Sequence, residues 1–322
     1  MGYFRRRKGG DGQELPGDGE PDHAFPFLTV GQAARLRALA RQQLAECGIE
    51  SEIRADHLLA TGGWRVGLHN LFVACHHAPG GERAWSGIIR SHVATVVRRA
   101  DEPSPAELPG DQLLDRAFVR VCGASVLPSM AAFGYRRRLG GDLVELLAYD
   151  SPETVAYLTD AEVERVGADA LRAAGVEHLL TEPFGEVHWL TAQRGARFAV
   201  LLGESVHTAS RLLIFDDVLR RSLGDVDTPY GVIVSVPNRH QLVFHRPEDS
   251  SVLRAVEGLT RFTIDNFAEG AGGVSPHVFW RPPRGGALQQ LTEVARPGHV
   301  AVRIDGEFAR AIRRLLGLSP PS

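Results

Sequence analysis

The pentapeptide Gly203-Glu204-Ser205-Val206-His207 has the pattern best suited to nucleophilic chemistry. An apolar run over 199–202 leads into it and a helical pattern leaves it, the context in which a sharp turn exposes a serine hydroxyl near a helix N-terminus that stabilises an oxyanion. Read this way, Ser205 is the nucleophile of a serine-type hydrolase, and Asp216, Asp217, His240, His245 and His277 are the acids and imidazoles on offer to complete it. His207 stands where such an elbow has its last glycine, however, and a side chain there crowds the strand against the helix. The competing reading makes Ser205 an N-cap, its hydroxyl accepting from a backbone N–H of the following helix.

Metal chemistry has a second set of candidates. If 64–77 is extended, Cys75 and His77 project from one face and His69 shares their parity, bringing thiolate and imidazole donors into line. No second group with ligand spacing follows, so a buried thiol beside strand-end histidines accounts for the same residues, and no metal or cofactor is expected. Tyr135-Arg136-Arg137-Arg138 is the dense basic run of the folded part, but it lacks the interleaved aromatics of a nucleic-acid stripe. Gly270-Ala271-Gly272-Gly273 lacks both the lysine of a phosphate loop and dinucleotide-binding spacing.

Recognition rather than catalysis is the third chemistry. Pro237-Asn238-Arg239-His240 between two apolar alternating runs reads as a hairpin turn, placing Arg239 and His240 on a rigid tip with Asn238. Arginine suits such a surface because its guanidinium combines planar hydrogen bonding with apolar contact. A matching tip is read at His69-Asn70. Residues 66–70, 71–76 and 77–79 align without gaps on 234–238, 239–244 and 245–247, which suggests a duplicated hairpin-and-helix module.

The bulk properties bound these options. The chain has 322 residues, 43% hydrophobic and 23% charged, with net charge −3, so a nucleic-acid or anionic-membrane role has no support in overall charge. Lys8 is the sole lysine. Cys47, Cys75 and Cys122 are odd in number and widely spaced, which argues against a disulfide framework and for a reducing cytoplasm. No apolar run approaches the ~18 residues of a membrane span, and the stretch after Met1 lacks the apolar core of a signal peptide.

Local patterns then give the elements. Thr29-Val30-Gly31-Gln32 is a capping box, followed by Ala33, Leu36, Ala40 and Leu44 at helical spacing up to Gly48. A β-rich stretch is expected over 51–59 and 64–77, then a helix with Trp85, Ile88, His92, Val93, Val96 and Val97 on one face. A short helix is read near 111–121, with 118–121 able to extend as a strand, and 143–149 reads as a strand. Thr159-Asp160-Ala161-Glu162 opens a second capped helix toward Leu180, interrupted at Gly167 and Gly175. The last third alternates: strand 199–202, helix 209–223, hairpin 231–236 and 241–244, helix 252–267, strand 277–280, a strand around Val300 and a helix over 307–316. Hairpins beside helices give an α+β class, with antiparallel sheets, helices packed on one side and two related modules. The organisation expected is a disordered tail over 1–24, an N-terminal module over 25–100, a linker and connecting helix over 101–125, a C-terminal module over 126–316 and a short tail over 317–322.

About half of the chain resembles the YtpQ-like family of uncharacterised bacterial proteins, through the strand and acidic turn 143–150, the capped helix 159–171, 203–213, the Val236-Pro237-Asn238-Arg239 turn and Ser275-Pro276-His277-Val278-Phe279. Leu68-His69-Asn70-Leu71-Phe72 extends the likeness into the N-terminal part. This chain has His240 where the family tends to an acid, and Gly203-Glu204 where it has a Gly-Gly pair. The resemblance implies the fold and a cytoplasmic location and brings no activity. The reading as a whole is a cytoplasmic, non-catalytic binding or adaptor protein with a protein partner, recognised through Asn238, Arg239, His240, His69 and Asn70. The alternatives are a hydrolase using Ser205 and a metal protein using Cys75 and His77.

Overall fold

The structure, a computed structural model, describes residues 18–61, 64–100, 103–127, 129–151, 155–191, 195, 197–296 and 299–318. Most of the tail read over 1–24, and the end of the chain from 319, lie outside the described residues. The chain divides into two compact units, with the boundary after Ala94.

In the first unit, the capping box at Thr29 forms as expected: Thr29 Oγ1 accepts from Gln32 N at 3.2 Å and Gln32 Oε1 accepts from Thr29 N at 3.1 Å. Helix α1 (Val30–Glu46) follows and buries Ala33, Leu36, Ala40 and Leu44. The folded chain reaches back into the stretch read as tail, because Asp22 takes a bidentate bond from Arg37 at 3.0 and 2.9 Å. Strands β1 (Ser51–Ile53), β2 (His57–Ala60) and β3 (Arg65–Gly67) make an antiparallel sheet in that order. The β-rich reading fails after Gly67: His69–His76 is helix α2. Leu68, Leu71, Phe72 and Cys75 are all buried, and their spacing is helical rather than alternating. Helix α3 (Trp85–Ala100) begins in this unit.

The second unit contains the stretch read as a linker. Helix α4 (Gly110–Asp115) is brief, and β4 (Ala117–Gly123) is a strand buried along its whole length. It pairs with β6 (Leu143–Asp150), which carries β5 (Arg137–Gly140) on its other side, while β7 (Val155–Tyr157) pairs with the distal end of β6. The second capping box also forms, with Thr159 N donating to Glu162 Oε2 at 2.6 Å ahead of α5 (Asp160–Val166). Gly167, at φ +101°, turns the chain into α6 (Ala168–Thr181). Gly175 does not interrupt α6; it lets the helix press on β4, since a Cβ there would lie 2.7 Å from Val119 N.

The larger sheet is antiparallel with strand order β13-β12-β10-β11-β9-β8. Its members are β8 (Glu186–Thr191), β9 (Arg197–Leu202), β10 (Val232–Ser235), β11 (Gln241–His245), β12 (Val278–Arg281) and β13 (Gln289–Gln290). Between β9 and β10 run a 3-10 turn, Thr208–Ile214, and α7 (Phe215–Leu223). One sheet face, with Leu201, Val234 and Phe244, packs on Leu212, Phe215 and Val218 together with Val121 and Leu143 of the smaller sheet. The other, with Val200, Ile233 and Val243, packs on α8 (Val252–Glu269) and α9 (Gly306–Leu315). Strands β14 (Thr292–Arg296) and β15 (His299–Val302) form a separate hairpin.

This is an α+β architecture with antiparallel sheets, but the larger sheet is covered by helix on both faces, not one. The reason is legible in β9–β11, whose residues are apolar at consecutive positions rather than alternating, so neither face can be left in water. The two stretches aligned as copies differ in structure: 69–76 is helix where the aligned 237–244 is turn and strand.

Candidate functional site

Ser205 sits after β9, in a turn that needs Gly203 because a Cβ there would meet Thr208 Oγ1 at 2.3 Å. Its hydroxyl donates to Glu182 Oε2 at 2.5 Å and accepts from His207 N at 3.1 Å. Glu182 is itself held in place, because the fully buried Arg211 donates from Nη2 to the carbonyls of Glu182 and Pro183 at 2.7 and 3.0 Å. The serine therefore braces the turn that leads into the 3-10 segment and ties it to Glu182, just after α6. His207 is the nearest imidazole in sequence, but its ring stacks on Phe118 at 3.9 Å and its Nε2 meets Asp150 Oδ2 at 3.1 Å. Asp216 and Asp217 lie in the first turn of α7, each engaged with arginine: Arg281 for the former, Arg220 and Arg221 for the latter. Among the described residues no imidazole bonds to the Ser205 hydroxyl, whose acceptor is the Glu182 carboxylate.

The metal reading loses its premise, since strand parity does not apply to α2. Cys75 is buried on the inner side of the helix and His77 follows its end. Burial pushes the Cys75 thiol up to about 11, which keeps it protonated where a ligand must be a thiolate. No group of three or more His, Cys, Asp or Glu side chains among the described residues is placed to hold a metal ion. The first basic run is structural too: the Tyr135 hydroxyl donates to Leu158 O at 2.7 Å and accepts from Leu147 N at 3.1 Å, so the ring is not a stacking platform.

The hairpin tip is where the structure gathers unusual chemistry, though not as an exposed knob. Asn238 is buried: its Nδ2 donates to Gln241 Oε1 at 3.1 Å and its Oδ1 accepts from His240 N at 3.0 Å, so it builds the turn and offers nothing outward. Arg239 and His240 are half-buried. His240 Nδ1 lies 3.2 Å from Gly203 O, and Arg239 Nε donates to His240 Nε2 at 3.0 Å. These contacts fix the neutral tautomer with the proton on Nδ1. Burial and the adjacent Arg239 cation both hold the His240 pKa below the usual histidine range, in keeping with that tautomer. The Arg239 stem lies over Gly272, where a Cβ would come within 2.6 Å of its Cδ. His69 and Asn70, the supposed second tip, begin α2 and form no hairpin.

Beside the tip runs the edge of β4. Val121 N donates to Ser210 Oγ at 3.1 Å, Ala209 N donates to Arg239 O at 3.0 Å, and Gly123 meets Val274 O, so tip, 3-10 turn and strand are fastened together. Phe118, Arg120 and Cys122 alternate onto one face of β4, and Phe118 is in register through Ala148 with Tyr157 of β7. Arg120 thus stands within an apolar strand and is only 8% exposed. Its guanidinium lies 5.8 Å from the centroid of the Tyr157 ring, and its Nε is buried without a hydrogen-bond partner. Arg239 is close enough to feel it: burial first, and the Arg120 charge second, hold the Arg239 pKa below the usual guanidinium value. Among the described residues no carboxylate is ion-paired with either arginine.

Sequence reasoning found Arg239 and His240 but missed Arg120 and Tyr157. The signal was present: in Ala117-Phe118-Val119-Arg120-Val121-Cys122, one charge interrupts an apolar run, and a buried charge demands a partner. Compared with protein-family models, curated proteins and solved structures, the chain matches none.

Proposed function

We propose that this protein is a non-catalytic binding protein that takes an anionic group of its ligand where the 237–240 turn meets the β4 edge. The observation that supports this reading is Arg120, 8% exposed within an apolar strand, its Nε without a hydrogen-bond partner and its guanidinium beside the Tyr157 ring, with no carboxylate from the described residues paired to it or to Arg239. Burying a guanidinium without an ionic partner costs several kcal/mol, and an anion that reaches it offsets part of that cost. A small ligand group suits this place better than the broad contact of a protein adaptor, because Asn238 is buried and Arg239 and His240 are half-buried. A reducing, cytoplasmic setting fits three cysteines that are all free, Cys47 among them exposed. No helix among the described residues is long and apolar enough to cross a membrane.

The test is affinity capture from cell extract with the full chain and its Arg239→Ala variant, followed by mass spectrometry of bound small molecules as well as proteins. The expected result is a compound enriched by the parent chain and lost in the variant. Equal recovery by both chains would remove this place from the account.

A further inference from the structure

On the sheet face opposite to the one that meets β4, a groove of about 830 Å³ runs along α9. Trp280 of β12 closes its floor. The indole is buried, rests against Phe308 with ring centroids 6.1 Å apart, and has its polar atom engaged, Nε1 donating to Tyr230 O at 2.8 Å. Above the floor stand Ile304 and Leu318, 49% and 58% exposed. Leu318 is held there by the end of the helix. Gly317, at φ +67°, donates its N–H to Arg314 O at 3.2 Å, and Leu318 N donates to Arg313 O at 2.9 Å, the paired bonds that close a helix on a left-handed glycine. Leu318 is thus fixed in position while most of it remains in water.

The same groove carries Arg310, Arg313 and Arg314 of α9, at the i, i+3 and i+4 spacing of side chains that neighbour one another on a helix. Glu307 answers Arg310 at 3.4 Å, and Asp305, ahead of the helix, accepts from Gln289 Nε2 at 2.9 Å. Among the described residues no carboxylate is ion-paired with Arg313 or Arg314. The helix dipole favours cations in the last turn and accounts for these two charges by themselves. It does not account for the exposed apolar pair that shares their groove. An apolar chain ending in an anion answers both: the chain covers Ile304 and Leu318, and the anion accepts from a guanidinium fork. A small anion would leave the apolar wall in water, and a neutral chain would leave the arginines uncompensated. The volume also falls in the ~300–1,000 Å³ range of small-molecule sites. We infer that this groove binds a single-chain amphiphile with a carboxylate head, a molecule of the fatty-acid type, its head on Arg313 and Arg314 and its chain on Ile304 and Leu318.

The inference does not rest on the binding reading above. The full chain is titrated calorimetrically at pH 7.5 with decanoate, below the concentration at which decanoate forms micelles, and with decanol and acetate. Saturable binding of decanoate is expected, at least about tenfold tighter than either control, a factor that corresponds to ~1.4 kcal/mol. The double variant Arg313→Gln, Arg314→Gln is expected to lose at least about tenfold in affinity. Leu318→Ser is expected to lose at least about threefold, since only part of a leucine side chain remains to be covered. It leaves both cations in place, so it carries the test if the double variant melts lower through the helix dipole. Arg239→Ala is expected to bind decanoate like the parent chain. Decanol or acetate binding as tightly as decanoate, either α9 variant binding like the parent, or loss of binding in Arg239→Ala would each overturn the inference. Two other occupants would overturn it as well: co-sedimentation with vesicles containing phosphatidic acid in the absence of decanoate binding assigns the face to a membrane surface, and a dimer that Leu318→Ser converts to monomer assigns it to a second copy of the chain.

Discussion

Gly175→Ala is the change that most directly probes how the site is backed. Gly175 lies in the interior of α6, where alanine is intrinsically better than glycine by ~0.8–1 kcal/mol. Against that gain stands the backbone of β4. A Cβ on residue 175 would lie 2.7 Å from Val119 N, 2.8 Å from the Phe118 carbonyl carbon and 3.0 Å from Phe118 Cα. Ordinary contact begins near 3.4 Å, and none of these atoms belongs to a flexible side chain, so helix and strand must separate. Leu171 and Leu179 of α6 share a core cluster with Val119 and Leu147, and separation loosens that packing. Forcing a methyl group into a filled site typically costs ~1–3 kcal/mol. The separation cost is expected to win, for a net loss of about 1–2 kcal/mol. Urea denaturation of the purified variant should show a lower midpoint at unchanged slope. An unchanged or higher midpoint would refute the claim that α6 is held against β4 by the missing side chain, and with it the rigid placement of Arg120.

Two further outcomes follow from the same geometry. Ser205→Ala should cost about 1–2 kcal/mol in urea denaturation, because it removes the bond to Glu182 and leaves His207 N without its acceptor; a stability equal to the parent would contradict the bracing role. Acid should weaken the fold through His245, whose Nδ1 lies 2.7 Å from Arg197 O and whose pKa burial lowers, with Asp249 and Glu248 opposing that shift only in part. Below its ordinary pKa of about 6.5 the unfolded chain binds the proton that the folded chain resists. The contribution is therefore fully present above that value and is lost as pH falls toward the folded pKa, with a slope of at most ~1.4 kcal/mol per pH unit. Urea midpoints measured between pH 7.5 and 5 should fall, and His245→Gln should flatten that fall; an equally steep curve in the variant would assign the acid sensitivity elsewhere.

Much of the second unit could be read locally because its signals are local. The capping box at Thr159, the β10–β11 hairpin, α8 and α9 follow from side-chain-to-backbone bonding and from period, which need no knowledge of the partner surface, as does the capping box at Thr29 in the first unit. The misreadings share a different cause. In 68–76 the apolar run is too short to distinguish period 2 from 3.6, and burial of Leu68, Leu71, Phe72 and Cys75 on a single helical stripe decided it. Residues 117–123 read partly as helix because nothing within the segment announces that β6 lies alongside for seven residues. The candidate site was half-legible for the same reason: Arg239 stands in a recognisable turn, whereas β4 is fastened beside that turn through Ser210 and Ala209, a non-local pairing that no spacing in the sequence records.

A ligand held beside Arg120 and Arg239, and a Ser205 that does no chemistry, are the two halves of the proposed function. Native mass spectrometry of the full chain, incubated with a cell extract freed of macromolecules, tests both parts when the same samples are also treated with a fluorophosphonate probe. The account expects a small-molecule adduct on the parent chain that is absent from Arg239→Ala, with no labelling of Ser205. Parent and variant spectra without any adduct, together with stoichiometric labelling lost in Ser205→Ala, would contradict it and make this protein a hydrolase.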